Sequence, residues 1–550
     1  MTKNNKLLLP ILATSLLVGG GIATYFLVIQ PQKLAQLPLG ANVIPTDALI
    51  TVSVSTEPSK WQQLREFGTS QTQATLDNYL VELRDRFLTD NGYNYQKDIQ
   101  PWIGKEVTLA VVSTEASPGA QAMVMVLPIA KPALAASLLS KPSPQGKTSD
   151  RVYKGSQIKA TPNYSATVID NRFLVVSDSP KATERAIDTY QAQNSLLKMP
   201  GFVEKFGEIA QENHFAQVYV NIPAAARLVN SDPKKLSPQL AGLQQSQGLA
   251  TTINLQPEGI ELKSISWLKP DSERVHLVQN NAGKMQQLLP AETLMMVSGG
   301  NLQQLWLDYL RSVKTNPLTP IPPENLRAGV KNTTGLDLDE DLLSWMDGEF
   351  SLAVIPATTK ADASPNDFAL TLAFMVQAKD ADKAQKAFQE IDKVISSQYQ
   401  FKVQETQVAG KPVVNWIAPY GTLAATHGWL DGNVAFFTIG APLAEKIIPQ
   451  PTVNLASTEQ FQKAVPSKLS PNNGQFFLNI NGTFKNLPLP QIIPNQQIVL
   501  EAVRSVGITT AVKDRRSIRY DIFMALNKAG NPKPLPSPIN SPSVSPSQLP

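Results

Sequence analysis

The sequence predicts an α+β protein: an N-terminal transmembrane helix followed by two tandem duplicated domains of mostly antiparallel sheet with packed helices. Three observations carry this prediction. Leu7 to Ile29 is a run of 23 residues without a charge. Residues 98–112, DIQPWIGKEVTLAVV, match residues 341–355, DLLSWMDGEFSLAVI, ungapped at an offset of 243. Apolar runs in both copies are separated by short turn signals, which join neighbouring strands antiparallel.

At 1.5 Å per residue the uncharged run covers roughly 34 Å, enough to cross the hydrocarbon core of a bilayer. It exceeds the apolar stretch of about 7–15 residues in a cleavable signal peptide, so it reads as a signal anchor. Gly19, Gly20 and Gly21 are tolerated in such a span. Lys3 and Lys6 precede the run and only Lys33 follows closely. That bias places the amino end in the cytoplasm and the bulk of the chain in the periplasm or a lumen, with the lipid bilayer as first partner. The expected organisation is a cytoplasmic stub (1–6), the anchor (7–29), a linker (30–40), repeat 1 (41–270), a linker (271–286), repeat 2 (287–528) and a disordered Pro/Ser-rich tail (529–550).

The elements follow in order. Ala48–Val54 is an apolar strand that leads into an amphipathic helical region ending near Phe87. Asp98 is placed to cap a short turn that carries Trp102. Val107–Val112 and Ala122–Ile129 read as strands, and Pro132 suits the first position of a helix. In the second copy Asp380 takes that place. A hairpin joins Ala166–Ile169 to Phe173–Val176 through Asp170-Asn171, with Asp431-Gly432 as the turn in the second copy. Helices start near Pro180 and Pro442. A closing hairpin ends each copy: Ala250–Leu255 with Ile260–Trp267, and Gly507–Val512 with Ile518–Ala525. Asn221-Ile222 matches Asn479-Ile480, and Thr251-Thr252 matches Thr509-Thr510, both at an offset of 258.

Composition excludes several classes of function. Basic and acidic residues number 49 and 45, which argues against a nucleic-acid partner. With no cysteine there are no disulfides, thiolate metal sites or cysteine nucleophiles. Gly146-Lys147-Thr148 lacks the upstream glycine of a phosphate loop, since Lys141 stands there. The cluster Asp337, Asp339, Glu340 and Asp341 puts Leu342 and Gly348 where a calcium loop needs glycine and glutamate. His214, His276 and His427 have no partner at metal-ligand spacing. The basic residues Lys513, Arg515, Arg516 and Arg519 fall on a hairpin tip. No metal and no cofactor is expected, and no catalytic residue is assigned.

What remains are the repeat anchors Asp98, Trp102, Glu106, Asp341, Trp345 and Glu349. The tryptophans read as core anchors. The glutamates are either strand-start carboxylates bonded to backbone or, if they shared a cleft, an acid–base pair. Trp61, Trp306, Trp416 and Trp429 are the aromatic residues in which a binding surface could lie.

The order of these features resembles an uncharacterised family seen mainly in cyanobacteria, the domain-of-unknown-function family 3352. The residues that carry the resemblance are the anchor, Pro45-Thr46-Asp47-Ala48, Trp102-Ile103-Gly104-Lys105-Glu106 and Asp170-Asn171-Arg172-Phe173. It extends over about residues 41–528 and implies an envelope-located bacterial protein, with no activity or catalytic residue to carry over. The expected function is a non-catalytic one, extracytoplasmic binding or scaffolding at the membrane surface with an envelope protein or a hydrophobic ligand as partner. The alternatives are a carrier or chaperone for a lipid or other hydrophobic ligand, which requires an apolar cavity, and an envelope-polymer hydrolase, which requires converging carboxylates or a serine with a base.

Overall fold

The computed structural model describes residues 37–114, 120–139, 149–211, 213–229, 245–277, 279–313, 321–357, 369–486 and 500–536. The Leu7–Ile29 run, Gly146-Lys147-Thr148 and the tail beyond 536 lie outside these residues. Among the described residues no helix is long and apolar enough to cross a membrane.

Among the described residues twenty strands belong to one antiparallel sheet with helices. This overturns the expectation of two tandem duplicated domains, each with its own sheet; the expected transmembrane segment lies outside the described residues. The described residues fall into two compact units, and the division does not follow the repeat. The smaller unit comprises 38–198, 500–502 and 527–536; the larger comprises residue 37, 199–486 and 503–526.

The smaller unit contains β1 (Ile50–Ser55), α1 (Pro58–Arg65), α2 (Ser70–Phe87), β2 (Glu106–Ser113), β3 (Gln121–Pro128), α3 (Pro132–Leu139), β4 (Ser149–Tyr153), β5 (Ser156–Ala160), β6 (Ser165–Ile169), β7 (Phe173–Ser177) and α4 (Pro180–Gln191). Its strands pair in the order β1–β2–β3–β7–β6–β5–β4. The loop between β6 and β7 has three residues, because Ile169 pairs with Phe173. Asp170 and Asn171 take φ of 53° and 51°, the left-handed region that these side chains tolerate. The first residues after 528 run along α1 and α2, where the Gly530 carbonyl accepts from Gln73 Nε2 at 3.3 Å and the Lys533 carbonyl from Arg65.

The larger unit contains α5 (Phe202–Gly207), β8 (Ala216–Val220), α6 (Ile222–Val229), β9 (Ser246–Gln256), β10 (Gly259–Leu268), β11 (Met295–Gly299), α7 (Leu302–Val313), α8 (Pro323–Thr334), β12 (Phe350–Pro356), β13 (Leu370–Gln377) and α9 (Ala381–Gln398). It continues with β14 (Lys402–Val408), β15 (Lys411–Ile417), β16 (Leu423–Leu430), β17 (Val434–Gly440), α10 (Ala444–Ile447), α11 (Glu459–Ala464), β18 (Gly474–Asn479), α12 (Ile480–Asn486), β19 (Val503–Asp514) and β20 (Ser517–Leu526). The strand order is β14–β15–β16–β17–β13–β12–β11–β18–β19–β20–β10–β9–β8.

The pairing of β10 with β20 gives the physical reason for the correction. These are the outer strands of the two closing hairpins, and separate domains would leave each as an edge with a row of unpaired N–H and C=O groups. Instead they pair from Gly259 opposite Ala525 to Trp267 opposite Ser517. Gly259 is required at this seam: an added Cβ would stand 1.9 Å from the Met524 carbonyl oxygen.

One face of the larger sheet is packed. Met296, Ala353, Met375, Phe436 and Phe477 alternate onto it and bury against Leu443, Ile447 and Phe461. Period-two alternation sends their neighbours to the opposite face.

Candidate ligand-binding cleft

On that opposite face the residues form rows across the strands. Val297 lies opposite Phe476, and Phe476 opposite Ile508. Gly299, Gly474, Thr510 and Tyr520 form the next row, followed by Val512 with Ile518. These residues line a cleft of about 670 Å³. This falls within the range of about 300–1,000 Å³ common for small-molecule sites.

The opposite wall is α7. Asn301 starts this helix, its Oδ1 accepting from Gln304 N at 2.7 Å. Leu302, Leu305, Trp306 and Tyr309 then fall at i, i+3, i+4 and i+7, one face of a helix. All four line the cleft. Such a stripe is normally covered, yet Leu305 is 53% exposed. Ile321, Leu326 and Leu343 complete the apolar wall.

Trp306 is held in place by the acidic cluster. Asp339 Oδ1 accepts from Trp306 Nε1 at 2.6 Å, and Arg327 binds both Asp339 oxygens at 2.6 and 3.2 Å. The Arg327 guanidinium lowers the Asp339 pKa and lies 5.5 Å from the Trp306 ring centroid. Tyr309 stacks on Trp306 with centroids 5.6 Å apart.

The two lining groups with shifted pKa are neutral near pH 7. Burial pushes the His276 imidazole down to about 4 and the Tyr520 phenol up to about 12. Ser298 is engaged with backbone: its Oγ accepts from Gln475 N at 3.3 Å and donates to Gln475 O at 3.4 Å. Among the described residues no cluster of three or more His, Asp or Glu side chains could hold a metal ion.

The repeat anchors lie outside the cleft lining. Asp98 Oδ2 accepts from Asn94 N, and Asp341 Oδ2 from Asp337 N, both at 2.8 Å. Each aspartate therefore closes its turn from inside, while Asn94 and Asp337 do the capping. Trp102 Nε1 donates to Asp98 O at 2.6 Å and Trp345 Nε1 to Asp341 O at 3.1 Å. Both indoles are buried. Glu106 accepts from Leu39 N, and Glu349 Oε1 from Gly283 N and Lys284 N at 2.7 Å and Met285 N at 3.2 Å. Each glutamate thus fastens the loop that leads into its own copy.

The other sequence candidates have structural partners. Asp392 Oδ1 accepts from Trp416 Nε1 at 2.6 Å and pairs with His427 Nε2 at 2.9 Å, and the His427 ring stacks on Phe388. His214 Nδ1 lies 2.8 Å from Gln211 O. Arg516 donates to the Lys269 carbonyl at 2.6 Å, and Arg519 pairs with both oxygens of buried Asp521 at 2.8 and 3.0 Å. Trp61 donates to Ser55 O at 2.7 Å and Trp429 to Gln385 Oε1 at 2.8 Å. Of the candidate residues, Trp306 and His276 line the cleft. The sequence signal for the rest of the wall was the spacing of Leu302, Leu305, Trp306 and Tyr309.

Comparisons with known proteins add little beyond kinship. No curated protein matches the chain. Crystal form IV of TP0453 is 7% identical, with 41% of this chain and 79% of that one covered at a TM-score of 0.24. Crystal form III of TP0453 is 11% identical, with 44% and 84% covered at a TM-score of 0.23. Likeness that distant carries no argument. The model of a family described as "Protein of unknown function (DUF3352)" matches residues 10–526, and the chain belongs to that family.

Proposed function

We propose that this chain is a non-catalytic binding protein that takes up an apolar ligand in the cleft between α7 and the sheet. In this reading the uncharged run 7–29 holds it at a bilayer, with the bulk outside the cytoplasm. The observation that carries the ligand-binding reading is the apolar stripe Leu302, Leu305, Trp306 and Tyr309, with Leu305 more than half exposed, facing Val297, Phe476 and Ile508 across the cleft. A helix face of this kind gains about 25 cal/mol per Å² when covered, so a ligand with apolar surface supplies what the chain leaves open. Binding, rather than hydrolysis, fits a wall of this character: Glu106 and Glu349 are committed to backbone N–H groups, and Ser298 is bonded to Gln475.

Bromine quenches tryptophan fluorescence only at short range, so methyl 9,10-dibromostearate reports on Trp306. Added to the full-length chain, it should quench fluorescence saturably, and Leu305→Asp should weaken this roughly tenfold. Leu305 is more than half exposed, so its replacement leaves the fold intact. Quenching that is unsaturable, or that Leu305→Asp leaves unchanged, refutes the reading. Protease protection in intact cells tests the membrane orientation separately: a 41–528 region shielded from added protease by the cytoplasmic membrane would reverse it.

A further inference from the structure

The cleft lining contains three buried polar atoms that have no hydrogen-bond partner: His276 Nε2, Gln279 Oε1 and Gln304 Nε2. They come from the segment before β11 and from α7, so separate parts of the fold direct them into one space. A buried polar atom left unpaired costs about 1–3 kcal/mol, and three in one cleft is a burden that packing alone would have selected against. Two are amides, which offer both a donor and an acceptor, and the third is an imidazole that is neutral near pH 7.

We infer that the ligand is amphipathic and that its polar end is uncharged and rich in hydroxyls, as in an acyl chain esterified to glycerol or a sugar. The inference rests on the binding reading above and adds the head-group chemistry. A hydroxyl both donates and accepts, so a head with two or three of them satisfies amides of either orientation together with a neutral imidazole. An anionic head is disfavoured, because the lining contains no lysine or arginine and does contain Asp308. The apolar tail then runs between the stripe of α7 and the Val297–Phe476–Ile508 row.

Three probes with the same 9,10-dibromostearoyl chain separate the two readings: the monoglyceride, the methyl ester and the free carboxylate. With the full-length chain the monoglyceride should bind roughly tenfold more tightly than the methyl ester, the share expected from two neutral hydrogen bonds, and the carboxylate most weakly. The double variant Gln279→Met with Gln304→Met keeps side-chain length and removes two of the unpaired atoms. It should melt no lower than the parent, bind the methyl ester at least as well, and lose the preference for the monoglyceride. Equal affinity for the two esters, a preference for the carboxylate, or a monoglyceride preference that survives the double substitution overturns the head-group assignment while leaving the cleft standing. Failure of all three probes to quench overturns both.

Discussion

Glu349 shows how a carboxylate kept in both copies serves structure. It is buried, and one of its oxygens takes the N–H groups of Gly283, Lys284 and Met285 at 2.7, 2.7 and 3.2 Å. Hydrogen bonds to a charged acceptor contribute about 1.5–3 kcal/mol each, and removing the acceptor leaves the donors buried and unpaired. The three share one oxygen and do not add in full, so Glu349→Ala should cost about 3–5 kcal/mol. Glu349→Gln keeps one carbonyl oxygen in place and should cost about 1–2 kcal/mol. The assay is amide hydrogen exchange on the full-length chain, read at Gly283, Lys284 and Met285, beside a urea melt. Protection at those amides should collapse in the alanine variant and survive in part in the glutamine variant. Unchanged protection at 283–285 in Glu349→Ala would refute the argument. A midpoint that falls equally for alanine and glutamine would show that charge, and not the acceptor oxygen, holds the loop.

Two further predictions follow from groups elsewhere in the larger unit. His276 titrates near 4 when folded, burial being the main cause and Arg274 adding to it, against an ordinary value of 6.5. Between those values the unfolded chain binds more protons than the folded one, so stability is present above about 6.5 and is lost as pH falls toward 4. His276→Gln should flatten that part of the pH–melting curve, and a wild-type slope retained in the variant would assign the titration to another group. Gly201 has φ of 79°, and a Cβ there would lie 2.5 Å from Trp267 Nε1, whose N–H donates to Pro200 O at 2.8 Å. Gly201→Ala should therefore cost about 2–3 kcal/mol, visible as an earlier loss of tryptophan fluorescence on heating; a shift below about 0.5 kcal/mol would mean that the indole yields freely.

Local patterns carried much of the chain and stopped at its long-range pairings. Alternation marked β2, β3 and both closing hairpins to within a few residues, because a half-buried strand must alternate. Asp380 begins α9 as read, its side chain accepting from Lys383 N at 2.9 Å. The turn after β16 differs: Leu430 pairs with Val434, so the loop has three residues, with Gly432 and Asn433 at positive φ. The joining of β10 to β20 was not legible, since an edge strand and a central strand share one period and differ only in what lies beside them. Gly259 was the available clue, being a glycine where the incoming strand leaves no room for a Cβ. The cleft escaped for a related reason. Its wall is a helix stripe that reads like any core-facing stripe, and only tertiary structure reveals that nothing in the described chain covers Leu305.

On the proposed binding reading, the sequence repeat predicts which copy holds the ligand. At an offset of 245, Trp306 corresponds to Trp61, and Leu302, Leu305 and Tyr309 correspond to Glu57, Lys60 and Leu64. In the first copy the stripe therefore carries charge at two of four places, and Glu57 and Lys60 pair with each other at 3.5 Å. The tryptophans diverge with it. Asp339, which holds Trp306, corresponds to Gln96 at an offset of 243, and Trp61 donates to Ser55 O instead. One copy thus shows that this helix folds with the pair in place, while the other retains the apolar stripe. Leu302→Glu with Leu305→Lys would install the first copy's residues in the second. The half-buried Leu302 makes this cost about 1–2 kcal/mol, of which the new i,i+3 pair returns about 0.3 kcal/mol. The chain should fold with a slightly lower melting point and lose saturable quenching by the dibromostearoyl esters. If quenching persists at parental affinity, the ligand does not lie against α7, and the apolar sheet row alone would have to hold it.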